Sequence, residues 1–242
     1  MTLLRSLVFD AFFYSLMLVM GILCLPLAIS GKKGTYWSIH AYTTIVLAAL
    51  RLICGLRTEV RGTPPTGEAI VASKHQSFLD ILILANVLPE PKFVMKKSLR
   101  WAPILGFYAM RMGCAPVDRG KKGRAVQQMV QGIGRSRADG GQVIIYPQGT
   151  RLAPGVKAPY KVGAGVLYQS FGLPCVPVAT NAGLFWGRMS LYRRPGLAVV
   201  EFLDPIEAGL DLRSFMTRLE GEIETASDAL HEEGMVIREG RG

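Results

Sequence analysis

The sequence predicts an α/β fold, in which a mixed, mostly parallel sheet is flanked by helices and preceded by an N-terminal two-helix membrane hairpin. Beyond Thr58, short β-like runs alternate with helical patterns, which is typical of a sheet with helices packed on it. Before that point the chain is apolar over lengths that suit a membrane. We therefore divide the 242 residues into a membrane-associated helical hairpin, residues 1–56, and an α/β domain, residues 57–242.

Two apolar segments define the predicted hairpin. Ala11–Ile29 is long enough to cross a bilayer, whereas Tyr36–Leu56 is marginal because His40 and Arg51 interrupt it. A cleaved signal peptide is the alternative for the first segment, since Ala28-Ile29-Ser30 resembles a cleavage site. The length of the first segment, and the second one that follows at once, favour a retained hairpin.

Basic residues at the hairpin ends favour a monotopic arrangement. A hairpin with two spans would export the loop Gly31–Gly34 with Lys32 and Lys33, against the tendency of basic residues to stay inside. If both helices instead dip into one leaflet, these lysines, Arg5 and Arg57 remain at one surface. We expect this arrangement, with the following domain on the cytoplasmic face of the membrane.

The α/β domain is expected to contain strands and helices in alternation. The expected strands are Ala69–Ser73, Lys92–Met95, Cys114–Val117, Val143–Tyr146, Cys175–Ala179 and Leu197–Phe202. The expected helices are Ser77–Val87, Ser98–Met112, Arg124–Arg137, Lys161–Phe171 and Asp211–His231.

Charge is distributed unevenly along the chain, whose formal net charge is +10. From Lys92 to Arg124 there are nine Lys and Arg against one acid, Asp118. The middle of the chain therefore faces something anionic, for which nucleic acid, anionic lipid and a phosphorylated substrate are candidates. The histidines have no metal-ligand spacing and the cysteines no CxxC spacing, so we expect no metal and buried free thiols.

The segment KHQSFLD, residues 74–80, places a carboxylate five residues after a histidine. In one interpretation Ser77 caps a helix, Asp80 completes a capping box, and His75 is an ordinary loop residue. In the other, His75 lies outside the helix and folds back over its first turn. Asp80 would then hold one imidazole nitrogen and leave the other as a base. The spacing alone leaves both open.

The segment YPQGTR, residues 146–151, ends a predicted strand with a turn. Gly149 allows close approach of the backbone to a ligand, and the guanidinium of Arg151 can bind a phosphate through two parallel hydrogen bonds. An ordinary turn with a solvated arginine is the alternative. Arg119 stands at another strand end, where it could equally pair with Asp118.

Taken in order, these segments resemble the membrane glycerophospholipid acyltransferases, specifically the bacterial lysophosphatidic acid acyltransferase (PlsC-like) branch, over roughly residues 55–205. The family's first motif, Asn-His-x-x-x-x-Asp, is matched by His75 and Asp80. Its second ends in an arginine, matched by Arg119, and its third, Phe-Pro-Glu-Gly-Thr-Arg, is matched by residues 146–151. Its fourth is a proline-containing apolar strand, matched around residues 174–178.

Two positions depart from the family pattern. Lys74 replaces the usual asparagine, and Gln148 replaces the usual glutamate, which the family associates with the glycerol end of the acceptor. Glutamine keeps an acceptor oxygen but loses the charge and gains a donor. The departure leaves the pairing of His75 with Asp80 intact and puts the identity of the acceptor in question.

The resemblance implies an enzyme that moves a fatty acyl group from acyl-CoA or acyl carrier protein to the free hydroxyl of 1-acyl-glycerol-3-phosphate, giving phosphatidic acid. It implies His75 and Asp80 as the catalytic pair, without any cofactor beyond the acyl donor. Substrate would be bound by Arg119, Gln148, Gly149, Thr150 and Arg151, and Lys96 is a further candidate because it lies in the basic stretch. The expected oxyanion donors are backbone N–H groups near the predicted helix Ser77–Val87 and near Gly149.

Membrane lipids, the lysolipid acceptor and the acyl donor are the expected partners, at the cytoplasmic face of a bacterial inner membrane. Another lysolipid, such as lyso-ornithine lipid, is the alternative acceptor. A non-catalytic membrane-binding protein with this fold is the alternative of another class. Nucleic acid is not expected, because a chain with a membrane hairpin uses interleaved aromatic and arginine residues more readily at the lipid interface.

Overall fold

One seven-stranded sheet organises the chain in a computed structural model that describes residues 1–118, 122–137 and 140–239. The strands are β1 (Leu56–Arg61), β2 (Ala69–Ser73), β3 (Pro91–Lys96), β4 (Ala115–Val117), β5 (Gln142–Ile145), β6 (Cys175–Thr180) and β7 (Gly196–Phe202). Their order in the sheet is β1-β7-β6-β2-β5-β3-β4. Neighbours run parallel except for β6 and β7, which are antiparallel. The predicted fold class is confirmed.

Helices precede the sheet and cover it. They are α1 (Thr2–Leu23), α2 (Leu25–Ser30), α3 (Lys32–Cys54), α4 (Leu79–Val87), α5 (Pro103–Arg111), α6 (Lys122–Arg137), α7 (Gly163–Phe171) and α8 (Leu212–Glu239). Short 3-10 helices occupy Lys97–Trp101 and Ala182–Leu184. One hydrophobic cluster joins α1, α3 and α4 to the sheet, and another joins α6, α7 and α8 to it.

Strand β1 was not predicted from the sequence, because most of its residues are polar. Arg57, Glu59 and Arg61 alternate with less polar residues, and β1 is an edge strand that pairs only with β7 among the described strands. An edge strand keeps one side open to solvent and tolerates such charges. Leu56, which the analysis placed in the hairpin, is the fully buried first residue of this strand.

Three predicted elements have different limits in the structure. The loop Gly31–Gly34 shrinks to Gly31, because α3 begins at Lys32. The single helix expected over Ser98–Met112 is divided, since Pro103 starts a new helix after the 3-10 turn. The last helix extends beyond His231 to Glu239.

The hairpin packs directly on the α/β domain. Phe9 and Phe13 of α1 are buried in the same cluster as Trp186, and the rings of Phe9 and Trp186 meet edge to face at 5.7 Å. Beside them the guanidinium of Arg193 lies 2.6 Å from Asp10 and 4.5 Å from the centre of the Trp186 ring. A buried ion pair and a shared aromatic core therefore hold α1 against the loop before β7.

Helices α1 and α3 are long and apolar enough to cross a membrane. Large apolar side chains of the N-terminal segment face outward, among them Leu4, Leu7, Leu18, Ile22, Leu23 and Ile29. So many exposed apolar side chains in one segment favour contact with lipid or with another protein. The same helix thus has one face in the protein core and another that suits the hydrocarbon of a membrane.

Candidate active site

The two sequence motifs meet because strands β2 and β5 are parallel neighbours. His75 follows the end of β2, and the segment 146–151 follows the end of β5. Parallel strands bring their carboxyl ends to one edge of the sheet, where open α/β sheets bind their ligands. The backbone joins the motifs directly, since Leu152 N donates to His75 O over 2.9 Å.

The side chains of His75 and Asp80 are in contact, as the second interpretation of their spacing requires. His75 Nδ1 lies 3.0 Å from Asp80 Oδ1 and 3.3 Å from Oδ2. Asp80 Oδ2 also accepts hydrogen bonds from the backbone N–H groups of Gln76, over 2.9 Å, and Ser77, over 2.8 Å. Asp80 therefore both caps the turn before the helix and orients the imidazole, so the capping contact of the first interpretation occurs together with the histidine contact of the second.

Helix α4 begins at Leu79, two residues later than predicted. Ser77 nevertheless acts near the helix start, because its Oγ accepts a hydrogen bond from Leu79 N over 3.0 Å and donates to Trp186 O over 2.5 Å. These bonds anchor the turn between β2 and α4. His75 is consequently held outside the helix and can fold back towards Asp80.

This geometry gives the imidazole a defined chemical role. The Asp80 carboxylate is an acceptor, so the tautomer it favours carries its proton on Nδ1. The lone pair of Nε2 then remains available to take a proton from a hydroxyl group. The buried carboxylate also stabilises the imidazolium that such a transfer creates.

Tyr146 completes the surroundings of His75, a contact that the sequence did not reveal. Its ring is stacked on the imidazole with centroids 3.8 Å apart and planes inclined by 18°. Its hydroxyl donates to Asp80 Oδ1 over 3.3 Å. Burial, and next the negative charge of Asp80, raise the pKa of Tyr146 well above its usual 10. Tyr146 is therefore a neutral donor that steadies both members of the pair.

The turn at Gly149 brings several cations together. Gly149 adopts φ = 70°, and a Cβ there would lie 2.6 Å from Lys161 Nζ, so the lysine side chain lies against the turn. Arg188 Nη1 is 3.5 Å from Thr150 Oγ1 and 3.4 Å from the carbonyl oxygen of Arg151. Within the described part of the chain, no carboxylate forms an ion pair with Arg151, Lys161 or Arg188. Uncompensated cations beside a tight turn suit an anion.

Two other residues, Lys96 and Arg119, were predicted to contact the substrate. Lys96 ends β3, the neighbour of β5, and its side chain is exposed at the same edge of the sheet as His75. Arg119 lies outside the described residues, so its place in the site stays a prediction.

The backbone donors expected for an oxyanion are already engaged. Gln76 N and Ser77 N donate to Asp80, and Gly149 N donates to Tyr146 O over 2.9 Å. The expectation that these N–H groups face the substrate is therefore wrong for this conformation. The carboxylate of Asp80, five residues after His75, draws the first two inward.

A second polar cluster lies beside the motifs and is centred on Glu224 of α8. Glu224 accepts hydrogen bonds from Lys74 Nζ, Gln148 Nε2 and Tyr160 OH. Lys74 and Gln148 are the two departures from the family pattern, and both are buried. The sequence did not predict this cluster, because Glu224 lies on the C-terminal helix, far along the chain from both motifs.

The cysteines are not candidates for a nucleophile. All four are buried and free. Burial raises the pKa of Cys114 to about 12, which disfavours its thiolate. Among the described residues, no group of three or more His, Cys, Asp or Glu side chains could hold a metal ion.

Comparison with known proteins assigns this fold and site to a family. Residues 57–181 match the model of the family described as Acyltransferase, and the chain belongs to that family. The matched segment contains His75, Asp80 and the turn at Gly149.

Bacterial relatives are similar to this chain over part of its length. The 1-acyl-sn-glycerol-3-phosphate acyltransferase of Pseudomonas aeruginosa is 30% identical over 148 residues, which are 60% of this chain and 58% of that protein. The enzyme of the same name from Salmonella typhimurium is 28% identical, over 63% of this chain and 64% of that protein. The chain thus spans about three fifths of the length of these relatives.

A solved structure shares the fold almost from end to end. The 1-acyl-sn-glycerophosphate acyltransferase PlsC from Thermotoga maritima superimposes with a TM-score of 0.78 and 19% sequence identity. The match covers 95% of this chain and 98% of that one, so it includes the N-terminal helices as well as the sheet.

Proposed function

We propose that the protein transfers a fatty acyl group from acyl-CoA or acyl carrier protein to the free hydroxyl of 1-acyl-glycerol-3-phosphate, giving phosphatidic acid. The observation that carries the proposal is the contact between His75 Nδ1 and Asp80 Oδ1 at 3.0 Å, beside a cluster of cations. The names of the bacterial relatives support the choice of acceptor.

In the proposed reaction, Nε2 of His75 takes the proton of the acceptor hydroxyl as its oxygen attacks the thioester carbonyl. A carbon–oxygen bond forms and gives a tetrahedral intermediate. Its collapse breaks the carbon–sulfur bond, and the departing thiolate takes the proton from the imidazolium. Asp80 stabilises the imidazolium between these steps, and the protein forms no covalent intermediate.

The phosphate of the acceptor would bind at the turn after β5. Arg151 is the principal ligand, because a guanidinium can make two parallel hydrogen bonds to phosphate oxygens. Lys161, which lies against Gly149, and Arg188, which lies beside Thr150, add positive charge. Lys96, at the end of the neighbouring strand β3, and Arg119, which lies outside the described residues, are further proposed contacts.

The outward apolar face of α1 supports a place for this reaction at a membrane surface, where lysolipids and long acyl chains reside. We place the protein on the cytoplasmic face of the bacterial inner membrane, with the hairpin dipping into one leaflet. Acyl-CoA or acyl carrier protein would reach the site from that side.

A panel of acceptors tests the proposal. Purified protein is incubated with labelled acyl-CoA or acyl carrier protein and either 1-acyl-glycerol-3-phosphate, a lysophospholipid with a larger headgroup, or lyso-ornithine lipid. We expect transfer to 1-acyl-glycerol-3-phosphate to be fastest. Transfer only to lyso-ornithine lipid, which lacks a phosphate, would contradict the proposed acceptor and the proposed role of Arg151. It would leave the role of His75 in place. No transfer, with an active control enzyme, would favour the non-catalytic alternative.

A further inference from the structure

The buried cluster around Glu224 links both motif segments to the C-terminal helix. Lys74 Nζ lies 2.5 Å from Glu224 Oε1 and 2.6 Å from Oε2. Oε1 also accepts from Tyr160 OH over 2.9 Å and from Gln148 Nε2 over 3.3 Å. Three donors from separate parts of the chain therefore converge on one carboxylate, 150 residues after the lysine.

The energetics of burial make this carboxylate necessary. Lys74 is 3% exposed and Gln148 is 4% exposed. A buried ammonium group without a partner is strongly unfavourable, so the burial of Lys74 requires the carboxylate of Glu224 beside it. Tyr160 is a neutral donor to the same group, because burial and the charge of Glu224 both raise its pKa.

Glu224 also determines the orientation of the Gln148 amide. The carboxylate attracts the NH₂ group and would repel the amide oxygen, so Gln148 directs Nε2 towards Glu224. Gln148 Oε1 is then buried without a hydrogen-bond partner among the described residues. A buried acceptor that lacks a donor from the protein is unfavourable unless a water molecule or a ligand supplies one.

The position of these contacts connects them to the reaction. Lys74 immediately precedes His75, and Gln148 immediately precedes Gly149. Both residues continue the ends of neighbouring strands, β2 and β5. A carboxylate that holds both side chains therefore fixes the spacing between the imidazole and the turn with Arg151, and small errors in such spacing lower reaction rates severely.

We propose that Glu224 is a positioning residue of the active site, which fixes His75 and the turn at Gly149 through Lys74 and Gln148. It lies on α8, beyond the family-matched residues 57–181, and supplies from that helix a negative charge that Gln148 lacks. This inference rests on the proposed acyl transfer. It adds that the two departures at positions 74 and 148 form one unit with Glu224.

Exchanging the side chains of Gln148 and Glu224 provides the sharpest test. Glu224→Gln removes the charge, and we expect kcat to fall about 10- to 100-fold, with a smaller effect on the KM for the acyl donor. The double variant Gln148→Glu/Glu224→Gln has the same composition and net charge as the wild type and returns a carboxylate to the cluster. We expect it to recover part of the kcat lost in Glu224→Gln, since hydrogen bonding within the cluster is restored.

A double variant that removes the charges of both Lys74 and Glu224, the charge-free pair, separates an effect on positioning from an effect on stability. Lys74→Asn/Glu224→Gln leaves no buried unpaired ion, so its melting temperature should exceed that of Glu224→Gln while its kcat stays low. Glu222→Gln is the matched control on α8, because Glu222 pairs with Arg218 near the surface. This control should keep wild-type activity.

The outcomes are distinguishable. Wild-type kcat in Glu224→Gln, or a folded but inactive exchange variant, would overturn the role of Glu224 alone. Recovery of kcat in the charge-free pair would show that Glu224 matters only for stability, and would also overturn it. If Glu224→Gln does not fold, the kcat of the exchange variant tests the proposed role of Glu224. Failure of the wild type to acylate any lysolipid would overturn the acyl-transfer proposal, and this inference with it.

Discussion

The ring of Tyr146 lies flat against the imidazole of His75, with centroids 3.8 Å apart, while its hydroxyl donates to Asp80. One side chain from the end of β5 thus contacts both members of a pair that follows β2. The imidazole is held by a hydrogen bond at its edge and by a ring on its face. This restraint limits rotation of His75 away from the geometry in which Nε2 can act.

Two substitutions separate the contributions of Tyr146. Tyr146→Phe keeps the stacked ring and removes only the hydrogen bond at 3.3 Å, so we expect kcat to fall by less than about tenfold. Tyr146→Leu removes the stacking as well and should lower kcat further. Steady-state rates of both variants, with melting temperatures as a control for folding, check this order. Equal activities of the two variants would contradict a role for the ring.

Asp80→Asn tests the orientation of the imidazole. An amide can present its NH₂ group to Nδ1 and favour the wrong tautomer, so we expect kcat to fall by about 10²- to 10⁴-fold. The hydrogen bonds from Gln76 N and Ser77 N can persist to the amide oxygen, which limits the loss of stability. Rates and thermal unfolding are measured together. A folded variant with nearly wild-type rate would rule out this role for Asp80.

Arg151→Ala tests the anion site at the turn. Loss of a charged hydrogen-bond partner should raise the KM for 1-acyl-glycerol-3-phosphate by about 10- to 100-fold and leave the KM for the acyl donor nearly unchanged. Arg218→Ala is the matched control, because Arg218 forms an exposed ion pair with Glu222 on α8. A rise in the donor KM instead would indicate that Arg151 binds the phosphates of coenzyme A.

The ion pair between Arg61 and Glu233 predicts a pH-dependent contribution to stability. Arg61 Nη1 and Nη2 each lie 2.7 Å from Glu233, joining β1 to α8. The hydrogen bonds from Arg61 lower the pKa of Glu233 below its usual 4.5. Because the folded-state pKa is depressed, the contribution is present above the unfolded value and is lost as the pH falls through the folded one.

Glu233→Gln should therefore destabilise the protein slightly at neutral pH, by no more than about 1 kcal/mol, because the pair is partly exposed. The difference from the wild type should vanish in acid, below the folded-state pKa. Thermal unfolding of both proteins over a pH series measures it. A difference that persists unchanged in acid would mean that the ion pair is not its source.

The local parts of the site could be predicted from the sequence, and the distant parts could not. His75 and Asp80 are five residues apart, so one turn of chain decides whether they meet. Glu224 is 150 residues from Lys74, and an acidic residue on an amphipathic helix is ordinarily solvated. Its role depends on how α8 packs against the sheet, which no local pattern encodes.

The alternation of apolar segments predicted most of the fold, and the exceptions have physical causes. Strand β1 was not predicted because an edge strand needs only one buried side. Charged residues such as Arg57 and Glu59 therefore interrupt the apolar pattern by which strands are predicted. A loop over Gly31–Gly34, which contains Lys32 and Lys33, was expected between the two apolar segments. Both residues instead lie in the first turn of α3, where polar side chains reach solvent.

The most direct test of the account is the rate of acyl transfer to 1-acyl-glycerol-3-phosphate by the wild type and by His75→Ala, purified in the same detergent. His231→Ala, on α8, is the matched control, because His231 Nδ1 makes no hydrogen bond to the described residues. We predict a loss of about 10²- to 10⁴-fold in folded His75→Ala, and wild-type rates in the control. A folded His75→Ala variant that transfers acyl groups at the wild-type rate would contradict the proposed role of His75 as the base.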